Sequence, residues 1–257
     1  MANITLQLYS LKEEAEKNFL GMIERVGDMG YDGVQFAGFF DASAEQVRES
    51  LDKKGLKRAG SHVGIHQLGE ERLEELFSYH EAIGEHLLIC PALPEEMRKT
   101  ADDYKRSAEK LNRIGESCKN AGFEFGYHNH AFEFTDMGEG TGFDLLFKET
   151  SKDLVKMELD CYWAAYSSHD PLQIIQTYQD RIVSLHIKDM IGDGTKRSTE
   201  VGKGMIDYPG LMREADKVNI DWFTVEQEKF DGNPYDSLVE NLGALKRFST
   251  NERGGTG

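Results

Sequence analysis

Cysteine, long apolar runs and basic charge are all scarce in this sequence, and each scarcity argues against a class of protein. The 257 residues hold 3 cysteines, Cys90, Cys118 and Cys161, far apart and with no CxxC pair. That spacing speaks against a zinc knuckle or a CxxC redox motif and fits reduced, partly buried thiols. No apolar run approaches the roughly 20 residues that cross a bilayer. The N-terminus turns acidic at Glu13 and Glu14 before an apolar core of signal-peptide length appears. The expectation is a cytoplasmic protein with no membrane partner. Lys and Arg number 30 against 46 Asp and Glu, a net charge of −16. A field of that sign repels a nucleic-acid backbone over most of the surface, so no nucleic-acid partner is expected. A glycine-rich GxGxxG turn after the first strand-like run is also missing, which weakens a dinucleotide-binding reading.

What is present is a regular alternation of short apolar runs and longer amphipathic segments. Strand-like runs fall at Ile4–Leu8, Gly33–Phe36, Leu56–Ser61, His86–Cys90, Phe123–His128, Val155–Leu159, Ile182–Ile187 and Trp222–Val225. Helical patterns separate them, including Ser43–Lys54 with Ser43 as cap and Gly55 as stop, and one long helix over Glu95–Asn120. Eight strand–helix units without an interrupting linker predict parallel strands with helical crossovers. Such a barrel needs about 250 residues. The expected architecture is therefore α/β, a (β/α)8 TIM barrel over residues 1–250 with a frayed tail over 251–257.

Chemistry in such barrels sits at the C-terminal ends of the strands. Here those ends read GSHVGIH, GYHNHAFEF, MELDCYW, SLHIKD and TVEQEKFD, each carrying an acid, an imidazole or both. Asp160, His186 and Glu226 are the first polar residues after three successive apolar runs. Singly, an acid after a strand is usually a helix cap and a histidine there is usually structural; the joint occurrence points to metal or catalytic work. Carboxylate with imidazole suits Mn²⁺, Zn²⁺, Co²⁺ or Fe²⁺ better than Ca²⁺. His128, His130 and Glu133 are the candidates for a fourth ligand. His62 directly follows the third strand, Lys188 sits on the rim, and Trp163 offers a flat face on which a sugar could stack or that could simply pack; these three are the substrate-binding candidates. The loop after the seventh strand carries Lys196, Arg197 and Lys203, either a phosphate site or a solvated basic loop.

Taken in order, LQLYSL, GYDGVQFAG, GSH, YHNHAFEF, LDCYWA, HIKD, GKGMIDY and VEQE make the chain resemble the xylose-isomerase-like sugar isomerase/epimerase superfamily. The resemblance implies one divalent ion (Mn, Zn, Co, Fe or Mg) held by two Glu, one Asp and one His. Asp160, His186 and Glu226 match three of these, and Glu133 is the nearest carboxylate for the fourth. Gln35 stands where many relatives have Glu, and Trp163 where some epimerases have His.

The implied chemistry is proton abstraction next to a carbonyl of a sugar or polyol through a metal-stabilised enediolate. Glu226 would serve as base, with His128 or His130 handling the proton on the other face. Isomerisation or epimerisation is the first expectation. A dehydratase or lyase acting on a keto-inositol or 3-keto-sugar is the alternative, and a non-catalytic sugar-binding or partner subunit is the reading from another class. Association into a homo-oligomer is left open.

Overall fold

Eight parallel strands close into a barrel within the described residues, 2–251, of the computed structural model. They are β1 (Asn3–Gln7), β2 (Gly33–Phe36), β3 (Lys57–His62), β4 (Leu87–Cys90), β5 (Glu124–His128), β6 (Lys156–Asp160), β7 (Ile182–Ile187) and β10 (Trp222–Val225). Each pairs with its neighbour in chain order, and β10 closes on β1 with Thr5 opposite Thr224. The helices between them are α1 (Lys12–Met29), α2 (Ala44–Lys54), α3 (Glu70–Ile83), α4 (Ala101–Asn120), α5 (Gly142–Glu149), α6 (Cys161–Tyr166), α7 (Pro171–Thr177), α8 (Tyr208–Lys217) and α9 (Pro234–Asn251). The barrel is the one expected. Beyond Asn251, the expected tail lies outside the described residues. No helix among the described residues is long and apolar enough to cross a membrane.

Two local readings change. The single helix expected over Glu95–Asn120 is divided into a 3-10 turn, Glu95–Met97, and α4. Thr100 accepts from the Asp103 N–H while the Asp103 carboxylate accepts from the Thr100 N–H, a capping box that starts a new helix. The loop after β7 contains a short antiparallel pair, β8 (Asp189–Met190) with β9 (Ser198–Thr199). Asp189 shapes it: its carboxylate accepts backbone N–H bonds from Met190, Gly202, Gly204 and Ile206. Cys90, Cys118 and Cys161 are free and buried.

Side chains alternate along each strand, so residues two apart share a face. One face supplies Leu6, Val34, Phe36, Leu159, Leu185, Ile187, Phe223 and Val225 to the buried apolar core. The other face, turned into the barrel, is polar. Thr5, Ser184 and Thr224 join by hydroxyl contacts of 2.9 and 3.3 Å. Further toward the C-terminal ends of these strands and of β2 and β6 come Gln7, Gln35, Glu158, Asp160, His186 and Glu226, all buried. β4 is the exception. Leu87 and Ile89 lie 3.3 Å from where a Cβ on Gly60 would stand, and Gly60 has φ +111, so only glycine fits there without strain.

Glu85 holds that corner by accepting from the Gly60 N–H (2.7 Å) and the Leu87 N–H (2.8 Å). Its burial outweighs those bonds and raises its carboxyl from 4.5 to about 7. The folded chain therefore keeps a proton that the unfolded chain releases. Stability from this group is full below about pH 4.5 and is lost as pH rises through about 7, on the order of 3 kcal/mol in all. Urea midpoints taken from pH 4.5 to 8 are expected to fall more steeply for wild type than for Glu85→Gln. Parallel profiles would contradict this.

Candidate metal centre and active site

The inward face of the barrel brings four of the expected residues to one place. His128 of β5, Asp160 of β6, His186 of β7 and Glu226 after β10 are all buried, and one ligand atom from each lies within 4.8 Å of the others. His186 Nδ1 is 3.2 Å from Glu226 Oε2, and His128 Nε2 is 3.9 Å from Asp160 Oδ2. Asp160 has two jobs on its two oxygens. Oδ1 accepts from the Trp163 N–H at 2.8 Å and caps α6, while Oδ2 is buried with no hydrogen-bond partner. A bare buried carboxylate oxygen is costly unless a cation meets it. The mixed oxygen and nitrogen donors fit a divalent transition ion.

Glu133 is not in this group. Its side chain is on the Tyr127 side of β5, the face opposite His128, where it accepts from the Tyr127 hydroxyl at 2.5 Å and the His130 N–H at 2.7 Å. Burial pushes it up to about 8. Glu133, expected as the fourth ligand, lies beyond the end of β5 and turns back behind the strand, whereas His128 stands with Asp160, His186 and Glu226.

Charge in the cluster is tightly balanced. Burial opposes a charge on His186, but Glu158 and Glu226 outweigh it and raise the imidazole to about 10. Burial also opposes ionisation of Glu226, yet His186 and Lys188 hold that carboxyl well below its usual range. Asp160 is pushed up to about 7 by burial. Burial and the neighbouring His186 keep His128 far below its ordinary value, so it is neutral. A cluster that must borrow a proton at His186 to offset its carboxylates is one that a metal cation would suit.

A pocket of about 360 Å³ opens above the group, lined in part by Tyr9, His62, His128, His130, Glu226 and Glu228. His62 is thus placed at the pocket, with Nε2 2.7 Å from Glu158 Oε1. His130 lines it with Nδ1 unpartnered, and burial lowers its pKa to about 4. Lys188 does not line the pocket. It is 2% exposed, 3.2 Å from Glu228 and over the rings of Tyr162 and Trp163, so it backs Glu228 from behind. Trp163 belongs to an adjoining pocket with Tyr162, Tyr166 and Lys196 that meets the first at Glu228. Lys203 is ion-paired with Glu240 and Glu200, and the Lys196 ammonium donates to the Tyr166 carbonyl.

Glu158, Glu228 and Gln7 were not singled out from the sequence. Glu158 was legible in principle: it is two residues before Asp160 on β6 and must share its face.

The eight parallel strands bring acids and imidazoles together at their C-terminal ends, the end at which barrel enzymes hold their active sites. The chain belongs to the xylose isomerase-like TIM barrel family, whose model matches residues 23–248. Among solved structures, it is similar to a sugar phosphate isomerase/epimerase from Parabacteroides distasonis, 26% identical over 96% of this chain and 98% of that one, with a TM-score of 0.82. Among curated proteins, it is 24% identical to an inosose dehydratase of Geobacillus kaustophilus, over 74% of this chain and 70% of the relative. An inosose dehydratase of Lacticaseibacillus casei is likewise 24% identical, over 88% of each chain.

Proposed function

We propose that this protein is a divalent-metal-dependent isomerase or epimerase that removes the proton next to a carbonyl of a sugar or sugar-like polyol. The observation that carries this reading is the convergence of His128, Asp160, His186 and Glu226 beneath a pocket, with Asp160 Oδ2 buried and unpartnered. These four residues would hold the ion. When bound, it supplies a Lewis acid that draws off the negative charge developing on the carbonyl oxygen.

The chain's own residues do the rest. Glu226 is ionised and lines the pocket, so it can take the proton from carbon while the C–H electron pair shifts toward the carbonyl. His128 has a carboxylate facing each ring nitrogen and is not free for proton traffic. His130 is neutral, with an unpartnered ring nitrogen beside the same pocket, and carries the proton on the other face. His62 and Glu228 remain for substrate hydroxyls, with Lys188 keeping Glu228 in place. Return of the proton to the opposite face of the same carbon gives an epimer; return to the neighbouring carbon gives an isomer.

Dehydration is the second reading, favoured by the inosose dehydratases among the curated relatives. It shares the first step and differs only in that a β-hydroxyl leaves as water. A panel of keto-sugars and keto-inositols in D₂O separates the two: deuterium at the carbon next to the carbonyl with the skeleton intact supports isomerase or epimerase. Loss of a water mass supports dehydratase. Exchange of no substrate hydrogen by enzyme that turns over would exclude both. His130→Ala is expected to keep its metal and lose about 10²- to 10⁴-fold in kcat. Unchanged turnover would remove His130 from the mechanism.

A further inference from the structure

The barrel mouth holds two overlapping sets of metal-ligating side chains. One is His128, Asp160, His186 and Glu226; the other, one step deeper along β6, is His62, His128, Glu158 and His186. His128 and His186 belong to both, so their ring nitrogens decide where a cation sits. We propose that Glu158 and Gln35 are positioning residues that hold His128 by its Nδ1–H and His186 by its Nε2–H. The lone pairs of His128 Nε2 and His186 Nδ1 are thereby turned toward Asp160 and Glu226, and the deeper set is closed to metal. This rests on the proposed function above.

The hydrogen-bond directions can be traced inward from the backbone. The Tyr9 N–H donates to Gln7 Oε1 at 3.1 Å, so the amide nitrogen of Gln7 is the group that donates to Gln35 Oε1 at 2.6 Å. Gln35 Nε2 then donates to the Ala59 carbonyl (3.3 Å) and to Glu158 Oε2 (2.5 Å). A carbonyl can only accept, so the Gln35 amide is oriented from both ends. His186 Nε2 faces two acceptors, Gln35 Oε1 at 2.7 Å and Glu158 Oε1 at 3.0 Å. It must carry a hydrogen whether the ring is charged or neutral, and when a bound cation takes the place of one ring proton this is the hydrogen that stays. His186 Nδ1, 3.2 Å from Glu226, donates to that carboxylate in the metal-free protein and is the nitrogen whose proton a cation would replace. By the same logic His128 Nδ1, 3.1 Å from Glu158 Oε1, carries its hydrogen and leaves Nε2 facing Asp160.

Saturation separates the two sets. Glu158 receives His62 Nε2, His128 Nδ1, His186 Nε2 and Gln35 Nε2. Those four donors meet a carboxylate with about four lone-pair sites. Asp160 Oδ2 receives none. The side with a free lone pair is the side a cation can enter. Glutamine at position 35 suits the arrangement because it accepts from His186 and donates to Glu158 at once; an ionised glutamate can only accept.

Calorimetric titration of Mn²⁺ and of Zn²⁺ into metal-stripped wild type, Asp160→Ala and Glu158→Gln tests this directly. The expected result is no binding by Asp160→Ala and binding weakened about 10- to 100-fold in Glu158→Gln. If Asp160→Ala loses the metal while Glu158→Gln binds as wild type does, the positioning role is overturned and the proposed function stands. If Asp160→Ala binds normally and Glu158→Gln does not, the cation sits in the deeper set and both fail. Should Glu158→Gln not fold, ¹⁵N spectra of histidine-labelled, Zn²⁺-loaded wild type decide the point. They are expected to show hydrogen on His186 Nε2 and His128 Nδ1. Hydrogen on the opposite nitrogen of either ring would overturn the inference.

Discussion

Asp160→Ala is expected to lose its metal and on the order of 10³-fold in turnover, because a Lewis acid supplies several kcal/mol to such a step. Its apo form should nevertheless stay folded. Two effects on stability oppose each other. Alanine forfeits the cap on α6, a loss of about 0.5–2 kcal/mol. It also removes a buried carboxylate oxygen that has no partner in the protein, which relieves a desolvation cost of similar size. The apo denaturation midpoint is therefore expected to move little, and added metal should stabilise wild type but not the variant. Full turnover in Asp160→Ala would end the metal-dependent reading.

The second large effect concerns the fold. Arg181, between α7 and β7, is 5% exposed and donates to the carbonyls of Phe147 (2.6 Å), Thr150 (3.3 Å) and Val155 (2.7 Å), and to the Thr150 hydroxyl (2.9 Å). Its guanidinium also lies 4.9 Å from the Phe147 ring centroid. It closes the C-terminal end of α5, where the helix carbonyls run out of partners, and ties that end to the entry of β6. Arg181→Ala is expected to cost about 3–5 kcal/mol, since the carbonyls stay buried and lose their donor. Arg181→Lys should recover only part of this, because one ammonium cannot reproduce a planar fork of donors. Urea unfolding reads the effect. An Ala variant within about 0.5 kcal/mol of wild type would show that water or neighbouring groups satisfy those carbonyls.

The barrel was legible because strand and helix periodicities repeat eight times, and α2, β2, β7 and β10 fall on the residues the pattern marks. The convergence of Asp160, His186 and Glu226 was legible for the same reason: the first polar residue after an apolar run falls at the C-terminal end of its strand. Legibility stopped where position depends on side-chain direction beyond a strand. Glu133 sits in sequence among the right residues, yet the chain turns after His130 and sends its carboxylate back to Tyr127. Lys188 continues the inward face of β7, but burial and Glu228 hold it behind the pocket. Glu158 escaped notice inside the apolar run around Met157 and Leu159, although period-2 counting from Asp160 leads to it. α6 was missed because its six residues are too few to show a period; its capping residue is the same Asp160 that was read as a ligand.

The most direct test of the metal-dependent reading is elemental analysis of wild-type protein purified without a histidine tag. The account predicts about one equivalent of Mn, Zn, Co, Fe or Mg per chain, held at a single centre. Protein that is metal-free and takes up none of these ions when they are added would contradict it.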